Sequence, residues 1–187
     1  MSGRVADRYT TPGGHLLGVT PSLESLPDRF AGVSHEEHVR EAIELARGAA
    51  ERGDDPYGSV LVRAADDEIV MTERNAVNTE DDVRKHPELT LAHRAAREFS
   101  PTQRRDLIMY TSTEPCPMCA GGIAHVGLGA VVHSTSAERG AELYGSESCL
   151  PSAEVYERLG SDVVAAGPVL ADEGDAVHRD YGGASDG

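Results

Sequence analysis

The pattern of apolar positions changes at residue 34 and divides the chain into two regions. Residues 1–34 carry scattered prolines and glycines without any sustained period. Such a stretch predicts an irregular N-terminal arm. Regular apolar spacing begins after it, so we expect residues 35–187 to form a single folded domain.

The first regular element is a helix. Apolar residues recur at helical spacing from Val39 to Ala49, and Gly53 ends the pattern. Ser34, followed three residues later by Glu37, predicts a capping box at the start of this helix.

Short apolar runs predict the remaining elements, and Asp66-Asp67 predicts a hairpin turn between the first two strands. Strands are expected at 57–63, 68–73, 107–112, 130–133 and 162–166, and further helices at 87–99, 117–126, 151–159 and 171–179. A helix and a hairpin followed by alternating strands and helices indicate an α/β fold. We expect a three-layer α/β/α sandwich around a five-stranded mixed sheet.

Charge sets this chain apart from an average globular protein. Acidic residues outnumber basic ones 32 to 17, which gives a net charge of −15, and Lys85 is the only lysine. We expect a surface adapted to high salt, where screening weakens the repulsion among the carboxylates. The alternative is an acidic surface that only keeps the protein soluble.

The sequence argues against several classes of protein. It contains no apolar run long enough for a bilayer span and no apolar stretch near its start that is typical of a signal peptide. Its negative charge does not suit a non-specific nucleic-acid binder. We therefore expect a cytoplasmic protein with neither a membrane nor nucleic acid as its partner. Three cysteines, two of them close together, favour a metal or catalytic role over a disulfide framework.

Two short segments combine possible metal ligands with a proline that opens a helix: His86-Pro87-Glu88 and Pro115-Cys116-Pro117-Met118-Cys119. Because proline is favoured at the first helical position, we expect His86 and Cys116 at helix N-caps. Glu88 and Cys119 then fall in the first turns. The partial positive charge of a helix N-terminus favours thiolates over thiols.

This set of ligands points to a catalytic metal site. Two thiolates and one neutral imidazole suit Zn²⁺ and leave a fourth position for water, whose pKa zinc lowers from 15.7 toward ~7. Glu88 is then placed to take the proton of that water. The alternatives are a thiol redox motif, or a structural zinc site with Cys149 as its fourth ligand. The redox motif gives no role to His86 and Glu88.

The two segments resemble those of the cytidine-deaminase-like zinc hydrolases of nucleobases and nucleosides, whose pattern is H-x-E followed by P-C-x-x-C. The resemblance extends over about residues 36–135. It is strongest to the branch that contains guanine deaminases and tRNA adenosine deaminases, although Pro87 stands where that branch often has alanine. It implies that His86, Cys116 and Cys119 bind zinc and that Glu88 is the catalytic acid and base.

The resemblance also implies contacts to the substrate and to a second subunit. Asn75 matches an asparagine that hydrogen-bonds the substrate in this branch, and Tyr57 and Pro115 are expected beside it. A homodimer is implied, in which residues 177–181 of the neighbouring subunit supply part of the pocket rim.

The expected activity is zinc-dependent hydrolytic deamination of a free, guanine-like purine base or nucleoside, with release of ammonia. Deamination of cytosine, cytidine or a related amino-heterocycle is the first alternative. Deamination of tRNA adenosine is the second, although the charge of −15 argues against an RNA substrate. A catalytically inert zinc-binding module is the alternative from a different class, but it gives no reason for Glu88.

Overall fold

The computed structural model describes residues 22–146 and 150–185, and in these ranges five strands and eight α-helices follow two short 3-10 turns. The strands are β1 (Gly58–Arg63), β2 (Glu68–Arg74), β3 (Leu107–Thr113), β4 (Ala130–Thr135) and β5 (Val164–Ala166). The helices are α1 (His35–Ala50), α2 (Val77–Glu80), α3 (Pro87–Glu98), α4 (Pro101–Arg104), α5 (Pro117–Val126), α6 (Ala137–Leu143), α7 (Ser152–Arg158) and α8 (Ala171–Ser185).

The strands form one mixed sheet in the order β2-β1-β3-β4-β5. The predicted hairpin of β1 and β2 is antiparallel, and β1 also runs antiparallel to β3. Strands β3, β4 and β5 are parallel, because helices carry the chain back between them. The carboxyl ends of β3 and β4 therefore meet at one edge of the sheet.

Helices cover both faces of the sheet, which confirms the predicted three-layer sandwich. Along β3, Ile108 and Tyr110 belong to one core, while Leu107 and Met109 belong to the other, as the two-residue period of a strand requires. Helices α1 and α8 pack on the first face, and α3, α5 and α7 lie on the second. Continuous apolar strands are expected where both faces are covered.

Part of the predicted N-terminal arm belongs to the core. Phe30 is fully buried and Val33 is nearly so, and both pack with the apolar residues on the α1 side of the sheet. Residues 1–21 of the arm lie outside the described residues, as does Cys149.

The predicted capping box at α1 is wrong. Ser34 is the N-cap residue, but its side chain makes no capping hydrogen bond. The backbone N–H of Ser34 donates instead to the carboxylate of Asp67, at 3.2 Å to Oδ1. Asp67, in the β1–β2 turn, thus takes the place that Glu37 would have in a capping box.

Within residues 22–146 and 150–185, no helix combines the length and the apolar character that crossing a membrane requires.

Candidate active site

Helices α3 and α5 both begin beside the carboxyl end of β3, and their first residues form the candidate site. His86 and Cys116 are the N-cap residues, each with an extended backbone, and a proline occupies the first helical position after each of them. This is the arrangement that the two proline-containing segments predict.

The fold brings the three predicted metal ligands together. His86 Nδ1 lies 3.8 Å from Cys116 Sγ and 3.6 Å from Cys119 Sγ. All three ligand atoms lie within 4.8 Å of one another, and among the described residues this is the one such group of His, Cys, Asp or Glu side chains. Thirty residues separate His86 from Cys116 in the chain, so the convergence is a product of the fold.

The group fits a tetrahedral zinc ion. With Zn–S near 2.3 Å and Zn–N near 2.0–2.1 Å, tetrahedral geometry places a sulfur and a nitrogen ligand about 3.6 Å apart. The two S···N distances above agree with this separation. Two sulfur ligands and one imidazole nitrogen are also the protein ligands of a known type of catalytic zinc site, in which a fourth position stays open.

The electrostatics of the cysteines favour metal binding. A hydrogen bond from Cys119, with further help from His86, lowers the pKa of Cys116 to about 4. The same hydrogen bond, together with burial, raises the pKa of Cys119. Cys116 thus favours the thiolate form that binds metals, and a bound zinc ion would displace the proton of Cys119.

Glu88 is a buried carboxylate beside these ligands, with only 4% of its surface exposed. Its Oε2 lies 3.6 Å from Cys119 Sγ, and its Oε1 accepts a hydrogen bond from Thr111 Oγ1 at 3.1 Å. Burial raises the pKa of Glu88 above the usual value of a glutamate. A carboxyl group in this state is suited to carrying a proton near neutral pH.

Asn75 is fully buried, and of the two polar atoms of its side-chain amide only the oxygen forms a hydrogen bond with the described residues. Oδ1 accepts a hydrogen bond from Val77 N at 2.9 Å, which fixes the orientation of the side chain. Nδ2 has no hydrogen-bond partner among the described residues. A buried N–H group without a partner is costly, so this donor is suited to an acceptor that arrives with a ligand.

Tyr57 lies close to the same centre. Burial is the main cause that raises the pKa of its hydroxyl, and the negative charges of Glu88 and Cys116 add to the effect. Pro115 is buried in the connection between β3 and α5, next to Cys116. The structure thus keeps both of these predicted residues near the metal ligands.

Helix α8 also reaches this region, within the same chain. The hydroxyl of Tyr181 donates to Asp55 Oδ1 at 3.2 Å, and the ring of His178 lies 5.8 Å from the ring of Tyr57. Residues of the 177–181 segment thus lie beside the candidate site of their own chain.

Glu114 has a structural role at the edge of the site. Its carboxylate accepts hydrogen bonds from the backbone N–H groups of Ala137, at 2.8 Å, and Ser152, at 2.7 Å. It therefore ties the starts of α6 and α7 to the end of β3.

The comparison with protein families decides what kind of protein carries this site. A family described as MafB19-like deaminase matches residues 33–156, which is more than half of the chain and includes the two proline-containing segments. The chain belongs to the MafB19-like deaminase family. The match covers β1 to β4 and the helices that carry His86, Glu88 and both cysteines.

Curated relatives of this chain include proteins with different stated substrates. A guanine deaminase of Bacillus subtilis is 37% identical over 92 residues, which are 49% of this chain and 58% of that protein. A probable cytosine deaminase of Schizosaccharomyces pombe is 32% identical over 152 residues, which are 77% of this chain and 90% of that protein. These homologues indicate an enzyme that acts on C–N bonds.

Solved structures confirm the fold. The guanine deaminase of Nitrosomonas europaea matches with a TM-score of 0.69 at 16% identity, over 91% of this chain and all of that one. The structure of the Bacillus subtilis guanine deaminase matches with a TM-score of 0.55 at 33% identity, over 62% of this chain and 73% of that one. The expected cytidine-deaminase-like sandwich is therefore correct.

Proposed function

We propose that this protein catalyses zinc-dependent hydrolytic deamination of a free, guanine-like purine base or nucleoside. The observation that carries the proposal is the position of Glu88, buried and within 3.6 Å of a metal-ligand sulfur. An inert zinc site has no use for a carboxyl group beside its ligands, because taking an acid out of water costs free energy.

His86, Cys116 and Cys119 would hold the zinc ion. When bound, zinc supplies an acidified water and hence a nucleophile at neutral pH. Glu88 would accept one proton from the attacking water and pass it to a ring nitrogen of the substrate as the C–O bond forms. It would then accept the second proton, from the new hydroxyl on the ring carbon, and pass it to the amine as the C–N bond breaks and ammonia leaves. Its hydrogen bond from Thr111 keeps the carboxylate in place during these transfers.

The substrate contacts proposed from the sequence have support in the geometry. The unpartnered Nδ2 of Asn75 would donate to an acceptor on the base, and the ring of Tyr57 would contact its plane. Pro115 would line the pocket next to Cys116. A guanine-like base offers ring nitrogens and a carbonyl oxygen as acceptors for the asparagine.

Electrostatics favour a free base over an RNA substrate. The negative charge of Asp55 acts on both His86 and Tyr57, so a carboxylate lies beside the candidate site. The net charge of −15 also opposes binding of an RNA backbone.

Cytosine or a related pyrimidine is the second candidate substrate. The probable cytosine deaminase of Schizosaccharomyces pombe matches a larger share of this chain than the Bacillus subtilis guanine deaminase does. The same ligands and the same glutamate serve both reactions.

The test is a screen for ammonia release in concentrated KCl, over guanine, guanosine, adenine, adenosine, cytosine, cytidine and triazine analogues. We expect the fastest turnover with guanine or guanosine. Preferential turnover of cytosine or cytidine would replace the proposed substrate with the second candidate. Absence of turnover of every compound by the zinc-loaded protein would contradict the proposed function.

The variant Glu88→Gln tests the mechanism. We expect it to keep zinc but to lose at least about 10²-fold in kcat, because the amide cannot carry the proton. Zinc content by emission spectroscopy and ammonia release measure the two effects. Glu98→Gln, an exposed change on the same helix, is the matched control and should remain active. Cys116→Ala should lose zinc. Normal turnover by Glu88→Gln would show that another group carries the proton.

A further inference from the structure

His178 on α8 connects three parts of the chain beside the candidate site. Its Nε2 lies 2.7 Å from Thr113 Oγ1, at the end of β3, and its Nδ1 lies 2.8 Å from the hydroxyl of Tyr144, which follows α6. The side chain is buried, with 3% of the residue exposed. Both ring nitrogens thus have a hydroxyl partner, and the orientation of the imidazole is fixed.

The same ring packs against two tyrosines. Its centroid is 5.8 Å from that of Tyr57 and 5.6 Å from that of Tyr144, with the second pair edge to face. Aromatic pairs at these separations attract each other beyond the effect of burial alone. The backbone oxygen of Tyr57 accepts a hydrogen bond from Asn75 N at 2.9 Å, which places Tyr57 beside the asparagine proposed to bind the base, whereas Tyr144 is 46% exposed. The three rings form a row that runs from this part of the candidate site toward solvent.

The hydrogen bonds of His178 suit a neutral imidazole. A neutral ring has one donor and one acceptor nitrogen, and each of its two hydroxyl partners can serve either role. Burial lowers the pKa of His178 to about 4, with Asp175 opposing the shift, so the ring is uncharged at neutral pH. Both hydrogen bonds of His178 can therefore form with a neutral ring at neutral pH.

We propose that His178 is a positioning residue that holds Tyr57 and Tyr144 as the wall against which a planar heterocyclic substrate packs. This inference rests on the proposed function and assigns a residue that governs substrate affinity. His178 acts through the two tyrosines, because its hydrogen bonds go to Thr113 and Tyr144 rather than to Glu88 or a metal ligand.

A residue with this role affects binding more than chemistry. Removal of its hydrogen bonds lets the tyrosine rings move, which weakens packing on the substrate, while zinc and Glu88 keep their positions. The expected signature is an increase in KM at nearly constant kcat and full zinc content. General destabilisation of the fold would instead lower zinc content and kcat together.

The variant His178→Phe keeps an aromatic ring but removes both hydrogen bonds. We expect its KM for the preferred base to increase about tenfold, with kcat within about threefold of wild type. Tyr144→Phe removes only the partner of Nδ1 and should give a smaller increase. Since Tyr144 is half exposed, this variant should fold even if His178→Phe does not. His125→Phe, the same substitution at an exposed position of α5, is the matched control.

Two conservative variants test the assignment atom by atom. In His178→Gln, the side-chain amide can reach the position of Nε2 and restore the hydrogen bond to Thr113. In His178→Asn, the shorter amide can reach the position of Nδ1 and restore the hydrogen bond to Tyr144. At least one of them should recover part of the affinity that His178→Phe loses.

The outcomes separate this inference from the proposed function. If the wild-type protein releases ammonia and both His178→Phe and Tyr144→Phe leave KM unchanged, the positioning role is wrong and the proposed function stands. A fall of kcat together with zinc content in every variant also overturns the positioning role. If the wild-type protein deaminates none of the compounds, the proposed function fails and this inference fails with it.

Discussion

Asp54 is a buried carboxylate in the turn before β1, and its partners link this turn to the substrate side of the candidate site. It accepts hydrogen bonds from Thr79 N and Thr79 Oγ1, both at 2.9 Å, and from Arg52 at 3.0 Å. Arg52 also donates to the backbone oxygen of Asn75 at 2.8 Å. One buried charge thus fixes both the short helix α2 and the backbone of the asparagine proposed to bind the base.

We expect Asp54→Asn to lower the free energy of unfolding by about 1–3 kcal/mol at pH 7, because it removes charge-assisted hydrogen bonds from a buried site. Burial alone would raise the pKa of Asp54, but the hydrogen bonds from Thr79 and the charge of Arg52 outweigh it, and the pKa lies below the usual value. The ionised carboxylate therefore stabilises the fold above about pH 4, and this stabilisation is lost as the pH falls further.

Urea unfolding at several pH values measures this effect. The difference between wild type and Asp54→Asn should be largest near neutral pH and should shrink below about pH 4. Asp162→Asn, at an exposed position, is the control and should change the stability little at any pH. A difference that does not depend on pH would show that the charge of Asp54 is not what stabilises the turn.

The sequence was sufficient to predict which three residues the fold brings together as possible metal ligands, but not the residues around them. The ligands could be found because each group carries its own local signal, a proline that starts a helix directly after His86 or Cys116. Thr111 and His178 carry no such signal. His178 meets Thr113 across 65 residues of chain, and only the packing of α8 on the sheet creates that contact. Positions of this kind become visible only when the fold is known.

At the level of elements, α1 and β1 approach each other closely at Gly58. A Cβ atom at this position would lie 2.4 Å from the backbone oxygen of Ala42 and 2.5 Å from the backbone nitrogen of Ala46. Both are backbone atoms of α1 and cannot rotate away. The glycine therefore allows α1 to pack closely on β1, the strand that begins directly after Tyr57.

We expect Gly58→Ala to lower the free energy of unfolding by about 1–3 kcal/mol or more, because α1 must move off the sheet to make room. Thermal and urea unfolding measure the loss. Gly121→Ala in α5 is the matched control, since a Cβ there has no atom within 4 Å, and it should stabilise the helix by about 0.5–1 kcal/mol. Equal effects of the two substitutions would contradict the assigned close approach.

The long helices were predictable from the sequence, whereas three short helices were not. The apolar period of α1 and the proline starts of α3 and α5 mark those helices clearly. Helices α2 and α4 have four residues each, which is too short for a period to emerge, and α6 buries none of its residues, so it has no buried apolar face to repeat. The start of α2 is held by hydrogen bonds from its backbone to side chains outside it, those of Asn75 and Asp54. The helix therefore depends on tertiary contacts and not on a local sequence pattern.

At the level of the whole molecule, charge is the property that the fold does not explain. The net charge is −15, and the exposed surface carries acidic residues on several helices, among them Glu41 and Glu51 of the first helix region and Glu157 of α7. Repulsion among such groups opposes the compact state, and dissolved salt reduces it as the Debye length falls from about 10 Å at 0.1 M to about 3 Å at 1 M.

We therefore expect the melting temperature to increase with KCl concentration. A triple variant, Glu41→Gln, Glu51→Gln and Glu157→Gln, removes three negative charges and should melt at a higher temperature than wild type in dilute buffer. Its melting temperature should also depend less on KCl. Arg97→Gln, an exposed change of opposite sign, should melt at a lower temperature in dilute buffer and depend more on salt. Scanning calorimetry across a KCl series measures all three proteins.

Since each change alters charge at an exposed site, any common response to salt comes from the overall electrostatic field of the protein rather than from one ion pair. A wild-type melting temperature that does not change with KCl would show that the acidic surface is not an adaptation to high salt.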